Sequence, residues 1–181
     1  MASCLFVSAT LVLTLAFIAT GIAFFAPFWL SDSDKGHKDI GLWGECEKEG
    51  CTWFWQNDYD WAKEQKEWFV ACMALYGVGF LIVFVTEIYS RLQLCCELRS
   101  SMSRSAGFLL IAAFILMGVA IGLFGGMNSK DDKDEKGFQV DYSAVKHFGW
   151  AYWMGVSGCV LTLLAALMFT CISGALCGDK M

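Results

Sequence analysis

The chain has 181 residues, of which 57% are hydrophobic and 17% charged, with a formal net charge of −5. Soluble domains carry about 25% charged residues, and an interior of this size cannot hide so much apolar surface, so a bilayer is the indicated solvent. The lack of a basic patch excludes nucleic acid as a partner, and nine cysteines, all but two in or beside apolar runs, fit neither a disulfide-dense miniprotein nor a zinc module.

The first charge in the chain is Asp32. The apolar run over residues 4–28 is long enough to cross roughly 30 Å of hydrocarbon as a helix. It is too long for the core of a cleaved signal peptide and has no basic segment before it, so it is expected to be retained. Further apolar runs cover 69–86, 105–129 and 148–178. Backbone amides in hydrocarbon need internal partners, so all four are predicted helices. The predicted layout is one membrane domain over 1–181. Its parts are a span over 4–28, an outer loop over 29–67, a span over 68–88 and a cytoplasmic loop over 89–104. They continue with a span over 105–127, a second outer loop over 128–147, a span over 148–173 and a cytoplasmic tail over 174–181. Glu87 is expected where the second helix meets the cytoplasm, snorkelling to water.

Charge alone leaves orientation open. Arg91, Arg99 and Arg104 favour a cytoplasmic middle loop, yet the two other loops together hold more lysines. Cysteine placement decides the reading. Cys46 and Cys51 share a polar loop, where an oxidising compartment would join them. Cys95 and Cys96 sit beside the membrane as candidate palmitoylation sites, as do Cys171 and Cys177, which places them in the cytosol.

In the first outer loop, Trp29 stands at the membrane edge, where an indole suits the interface. Residues 40–46 and 51–55 read as short strands, and 58–68 as a helix with Trp61, Gln65 and Trp68 on one stripe. In the second outer loop, Phe138, Val140 and Tyr142 alternate with polar residues as in a half-buried strand that would join the first-loop sheet. On the third helix Gly118, Gly122 and Gly126 recur every fourth residue, a groove for close helix packing. That groove serves either the monomer's own bundle or lateral association.

The most specific pattern is Trp29, then Gly41-Leu42-Trp43, then Cys46 and Cys51, in the first outer loop of a four-span chain. It resembles the signature of the claudin superfamily, which includes claudins, peripheral myelin and epithelial membrane proteins, and channel-regulating relatives. The resemblance implies a membrane α-helical fold: a left-handed four-helix transmembrane bundle carrying a small extracellular antiparallel β-sheet. It also implies a Cys46–Cys51 disulfide, tryptophans packed at the base of the sheet, and an extracellular helix at 58–68. The chain departs from typical claudins in its short Cys46–Cys51 spacing, in lacking an arginine near the start of the second span, and in a tail that ends Gly-Asp-Lys-Met.

By the same resemblance, Glu45, Glu47 and Glu49, which flank the cysteines, are candidate ion-selectivity residues. Acidic side chains along a confined water path favour cations; the bland alternative is a solvated acidic surface. His37 and His147 are isolated, and no HExxH, CxxC or nucleophile elbow occurs, so neither an enzyme nor a cofactor or metal is expected. The leading expectation is a plasma-membrane junction or adhesion protein forming or regulating a paracellular barrier. Its partners would be the bilayer and, in cis and trans, itself or related claudin-like proteins. The alternative is an auxiliary subunit that modulates a channel or receptor.

Overall fold

The structure, a computed structural model, describes residues 2–32, 38–47, 50–53, 67–96, 101–128 and 148–178. Four long helices dominate it: α1 (Ala2–Phe25), α2 (Glu67–Cys96), α3 (Ser101–Asn128) and α4 (Trp150–Gly178). Each contains a stretch long and apolar enough to cross a membrane: Leu5–Phe25, Glu67–Gln93, Arg104–Met127 and Trp150–Ile172. Four short strands lie between α1 and α2: β1 (Leu30–Asp32), β2 (Lys38–Ile40), β3 (Gly44–Glu47) and β4 (Gly50–Trp53). They form one antiparallel sheet in the order β1-β2-β3-β4.

The helices follow chain order around the bundle, with α1 packed most closely on α4, α3 on both α2 and α4, and a thinner seam between α1 and α2. Burial is inverted relative to a soluble protein. Large apolar side chains such as Leu11, Leu15, Phe108, Ile115 and Leu164 face outward, while Ala9, Ala16, Ala23, Ala113, Ala165 and Ala166 line the seams. Hydrocarbon outside the bundle provides no hydrophobic drive for helices to associate, so close approach through small residues replaces it. Close approaches between helices occur at Gly79, whose added Cβ would lie 2.5 Å from Met117 Cγ, at Gly107, 2.6 Å from Thr170 Cγ2, and at Gly158, 2.7 Å from Thr20 Cγ2.

These seams are not where the four-residue glycine repeat pointed. A Cβ on Gly118 would reach only Cys159 Sγ at 3.9 Å, and Gly122 and Gly126 would meet nothing within 4 Å. The reason is helical geometry. Steps of four residues advance about 40° past a full turn, so a row that starts at the edge of the α3–α4 seam has rotated onto the outer surface two steps later. The monomer's own packing therefore uses other glycines, and the outward pair leaves the lateral reading of the stripe.

Two further expectations change. Helix α1 ends at Phe25 rather than near 28, because Pro27 has no N–H and restricts Ala26 before it. Strand prediction over 40–46 merged two strands: Gly41 N–H donates to Gly44 O at 2.9 Å, folding the chain back so that Leu42 and Trp43 form a two-residue hairpin tip. The strand expected around Phe138–Tyr142, as well as Trp61 and Gln65 of the expected outer helix, lies outside the described residues.

Glu87 also differs from expectation. It is buried, at 8% exposure, inside α2 rather than at its end. Antiparallel pairing with α1 explains why: Gly77 lies against Phe24, Phe80 against Gly21, Phe84 against Phe17, and Glu87 against Thr14. At 30 residues, α2 is about 45 Å long, longer than the hydrocarbon is thick. Its first turn packs by Trp68 and Phe69 on Phe124 at the sheet end, and its apolar stretch runs on to Gln93, so Glu87 sits deeper than the end of the run over 69–86 suggests.

Candidate functional site

The surface that distinguishes this bundle is its sheet, and the residues singled out by the motif form the joint beneath it. Trp29 follows the α1 terminus and is 1% exposed. Its indole N–H donates to Ala23 O at 2.6 Å, accepted by a carbonyl in the last turn of α1. Its ring meets one aromatic residue from each of the other helices edge-on: Tyr76 at 5.3 Å, Phe124 at 5.0 Å and Tyr152 at 5.8 Å between centroids. Edge-to-face packing matches ring quadrupoles, so one side chain ties all four helices together at the sheet end.

The backbone around Trp29 joins sheet and bundle. Trp29 N–H donates to Ile40 O, and Gly149 N–H donates to Trp29 O, both at 2.9 Å. Ala151 N–H donates to Phe28 O at 3.2 Å, which satisfies one of the donors left free in the first turn of α4. Leu30 also forms an isolated bridge with Phe148. The chain entering β1 is thus held by β2 on one side and by the start of α4 on the other. A Cβ on Gly149 would overlap Phe28 O, so only glycine allows this approach.

The Gly41-Leu42-Trp43 tip plugs the mouth of the bundle. Leu42 is 1% exposed, and Trp43 meets Phe24 edge-on at 4.9 Å. A Cβ on Gly41 would lie 2.7 Å from Ala26 O and overlap Pro27 Cα. The motif is therefore a seat: glycine lets the hairpin drop against the α1–β1 link, and the next two side chains fill the space under it.

Above the seat, Cys46 and Cys51 stand opposite each other in the β3–β4 register and are joined by a disulfide. Gly50, at φ 152°, takes a backbone conformation that favours glycine at the start of β4. Glu45 faces Thr52 across the hairpin and is half-buried, and Glu47 pairs with Gly50. Glu49 lies outside the described residues, as does the Glu47 side chain. Cys95 and Cys96 occupy the far end of α2 from the sheet, and Cys171, on the corresponding end of α4, is exposed. Among the described residues, no group of three or more His, Cys, Asp or Glu is placed to hold a metal ion.

Sequence reasoning found the residues of the seat but not the partners that fill its underside. Tyr76, Phe124 and Tyr152 each lie inside an apolar run, where one more aromatic carries no signal. Gly149 lies within the apolar run over 148–178, where one glycine carries no signal either.

Comparison with known proteins agrees with this architecture. The family described as PMP-22/EMP/MP20/Claudin tight junction matches residues 61–171, more than half of the chain. The chain is also similar to a Danio rerio protein described as p53 apoptosis effector related to PMP-22. The two are 26% identical over 146 residues, covering 80% of this chain and 70% of that protein.

Proposed function

The chain belongs to the PMP-22/EMP/MP20/claudin tight junction family of membrane proteins, and from that premise we propose that it acts at plasma-membrane contacts between cells. Its sheet faces the intercellular space, both termini and the 89–104 segment lie in the cytoplasm, and sheet residues meet like or related molecules in cis and trans. The observation that carries this reading is the rigid seat. Trp29, Gly41, Leu42 and Trp43 fix the sheet to all four helices, so the strands above that seat present a defined surface. A preorganised surface loses less entropy on contact.

The acidic residues beside the disulfide, Glu45, Glu47 and Glu49, bias the gap toward cations, because fixed negative charge at a confined water path attracts cations and repels anions. Transepithelial resistance and dilution potentials in a monolayer expressing the protein test both statements. Expression raises resistance or shifts permeability toward sodium over chloride, and Glu47→Lys reduces that shift. If expression changes neither quantity, the junction reading fails; if Glu47→Lys leaves a real shift unaltered, that residue is acquitted.

A second reading, an auxiliary subunit of a channel or receptor, is favoured by one observation. Gly122 lies on the outer surface of α3 with nothing near its Cβ position, a shape suited to a neighbouring helix in the same membrane.

A further inference from the structure

Within the apolar part of the bundle, one ion pair is neither buried completely nor placed at an end. Arg91 Nε donates to Glu87 Oε1 at 2.8 Å, and Arg91 Nη2 lies 2.8 Å from the same oxygen. Arg91 Nη2 also donates to Thr14 Oγ1 at 2.5 Å, and the Thr14 hydroxyl is 2.9 Å from Glu87 Oε1. The cluster clasps α1 to α2 across the thinner seam of the bundle.

Thr14 is nine residues from the start of the Leu5–Phe25 span, about 13.5 Å along the helix axis. Arg91 leaves α2 two residues before the Glu67–Gln93 span ends and reaches back into the apolar layer to meet it. Side chains on a helix lean toward its N-terminus. Because α2 starts at the sheet, Arg91 leans toward mid-membrane and away from the headgroups at the far end. An ionisable pair at this depth is costly and marks a site.

Accessibility then sets the polarity of what can bind. The Glu87 side chain is 10% exposed, whereas that of Arg91 is 50% exposed. Glu87 Oε2 is buried with no hydrogen-bond partner, so the carboxylate is turned inward and offers nothing to a neighbour. What the cluster shows outward is donors, ringed by Leu11, Leu15, Ile88 and Leu92, all exposed apolar side chains.

We propose that this donor face is a docking site for a transmembrane helix of another protein, one that presents a neutral hydrogen-bond acceptor at mid-membrane depth. A glutamine or asparagine carbonyl fits, as does a serine or threonine hydroxyl. A carboxylate fits less well: Glu87 already neutralises Arg91, and an added negative charge would stay uncompensated in hydrocarbon. A second copy of this chain does not fit. Its own α1–α2 face would set donor against donor, and the outward residues of its α3 and α4 near this depth, among them Ile115, Val160 and Leu164, are apolar. The inference is independent of the outer-sheet reading, because it concerns contacts inside one membrane.

The test uses the purified full chain in phosphatidylcholine bilayers with a synthetic leucine-alanine single-span helix carrying glutamine, or leucine, at its midpoint. Energy transfer between labels on the two reports association. The glutamine helix should bind about three- to thirty-fold more tightly than the leucine helix, the range spanned by interhelical hydrogen bonds in membranes. Moving the glutamine two turns toward either end should remove the preference. So should the double variant Glu87→Leu/Arg91→Leu, which replaces the pair with apolar groups and is expected to keep the fold. Equal binding of both helices to the unmodified protein would overturn the proposal, as would a preference that survives in the double variant. Loss of the preference when phosphatidylserine is added would assign the guanidinium to an anionic lipid headgroup instead, and would equally overturn it.

Discussion

Replacing Trp29 with alanine should loosen the sheet from the bundle. The indole is 1% exposed, and a buried tryptophan removes about 150–250 Å² from its surroundings. At about 25 cal/mol per Å² that corresponds to roughly 4–6 kcal/mol, against the 3–5 kcal/mol typical of Trp→Ala changes. Lipid in place of water reduces the transfer part, but the cavity between four helices and the lost edge-on contacts with Tyr76, Phe124 and Tyr152 remain. Ala23 O also loses its donor, worth about 1 kcal/mol. The expected loss is therefore about 4–5 kcal/mol for Trp29→Ala. Trp29→Phe keeps a ring but drops the hydrogen bond, so about 1–2 kcal/mol is expected. Pulse labelling of thiols during denaturation in mixed micelles measures both, because Cys72 and Cys159 are buried in the folded bundle. If Trp29→Ala fell within about 1 kcal/mol of the unmodified protein, or if Trp29→Phe were as damaging, the seat would not be the joint described.

Three further outcomes follow from the packing and the cysteines. Gly158→Val should cost about 1–3 kcal/mol by overpacking against Thr20, whereas Gly122→Val should change stability by no more than about 0.5 kcal/mol; the same labelling assay separates them. Cys46→Ser/Cys51→Ser releases a loop whose cysteines are 5 positions apart and should destabilise the hairpin by about 2 kcal/mol, seen as faster proteolysis of the sheet with the helices intact. Hydroxylamine-sensitive palmitate labelling should fall in Cys95/Cys96→Ser; unchanged labelling would move the acyl group to another cysteine.

The fold was readable because its determinants are local. Uncharged runs of bilayer length specify helices whatever their neighbours do, and the four spans follow from that alone. The Trp29, Gly41-Leu42-Trp43, Cys46 and Cys51 pattern was readable as a family resemblance, yet its mechanical sense was not. That Gly41 and Gly44 bracket a hairpin tip, and that the tip plugs the bundle, depends on a close approach to Pro27 that no spacing reveals. The family match over 61–171 lies outside those residues, so two separate parts of the chain point to the same family. Glu87 was misread for a definite reason. A sequence shows where an apolar run stops, but not how far a helix slides along its neighbour, and it is the register of α2 on α1 that sets Glu87 against Thr14. The glycine repeat on α3 left two uses open, and only the bundle's geometry showed that Gly122 and Gly126 lie outside the monomer's own seams.

The junction reading is tested most directly by mixing cells that express a red-tagged copy with cells that express a green-tagged copy, in a line that lacks junction strands. Enrichment of both colours is expected where red cells meet green ones, with none at edges facing untagged cells, and loss of that enrichment in Cys46→Ser/Cys51→Ser. Uniform surface signal, from a protein that reaches the plasma membrane and keeps its disulfide, would contradict it.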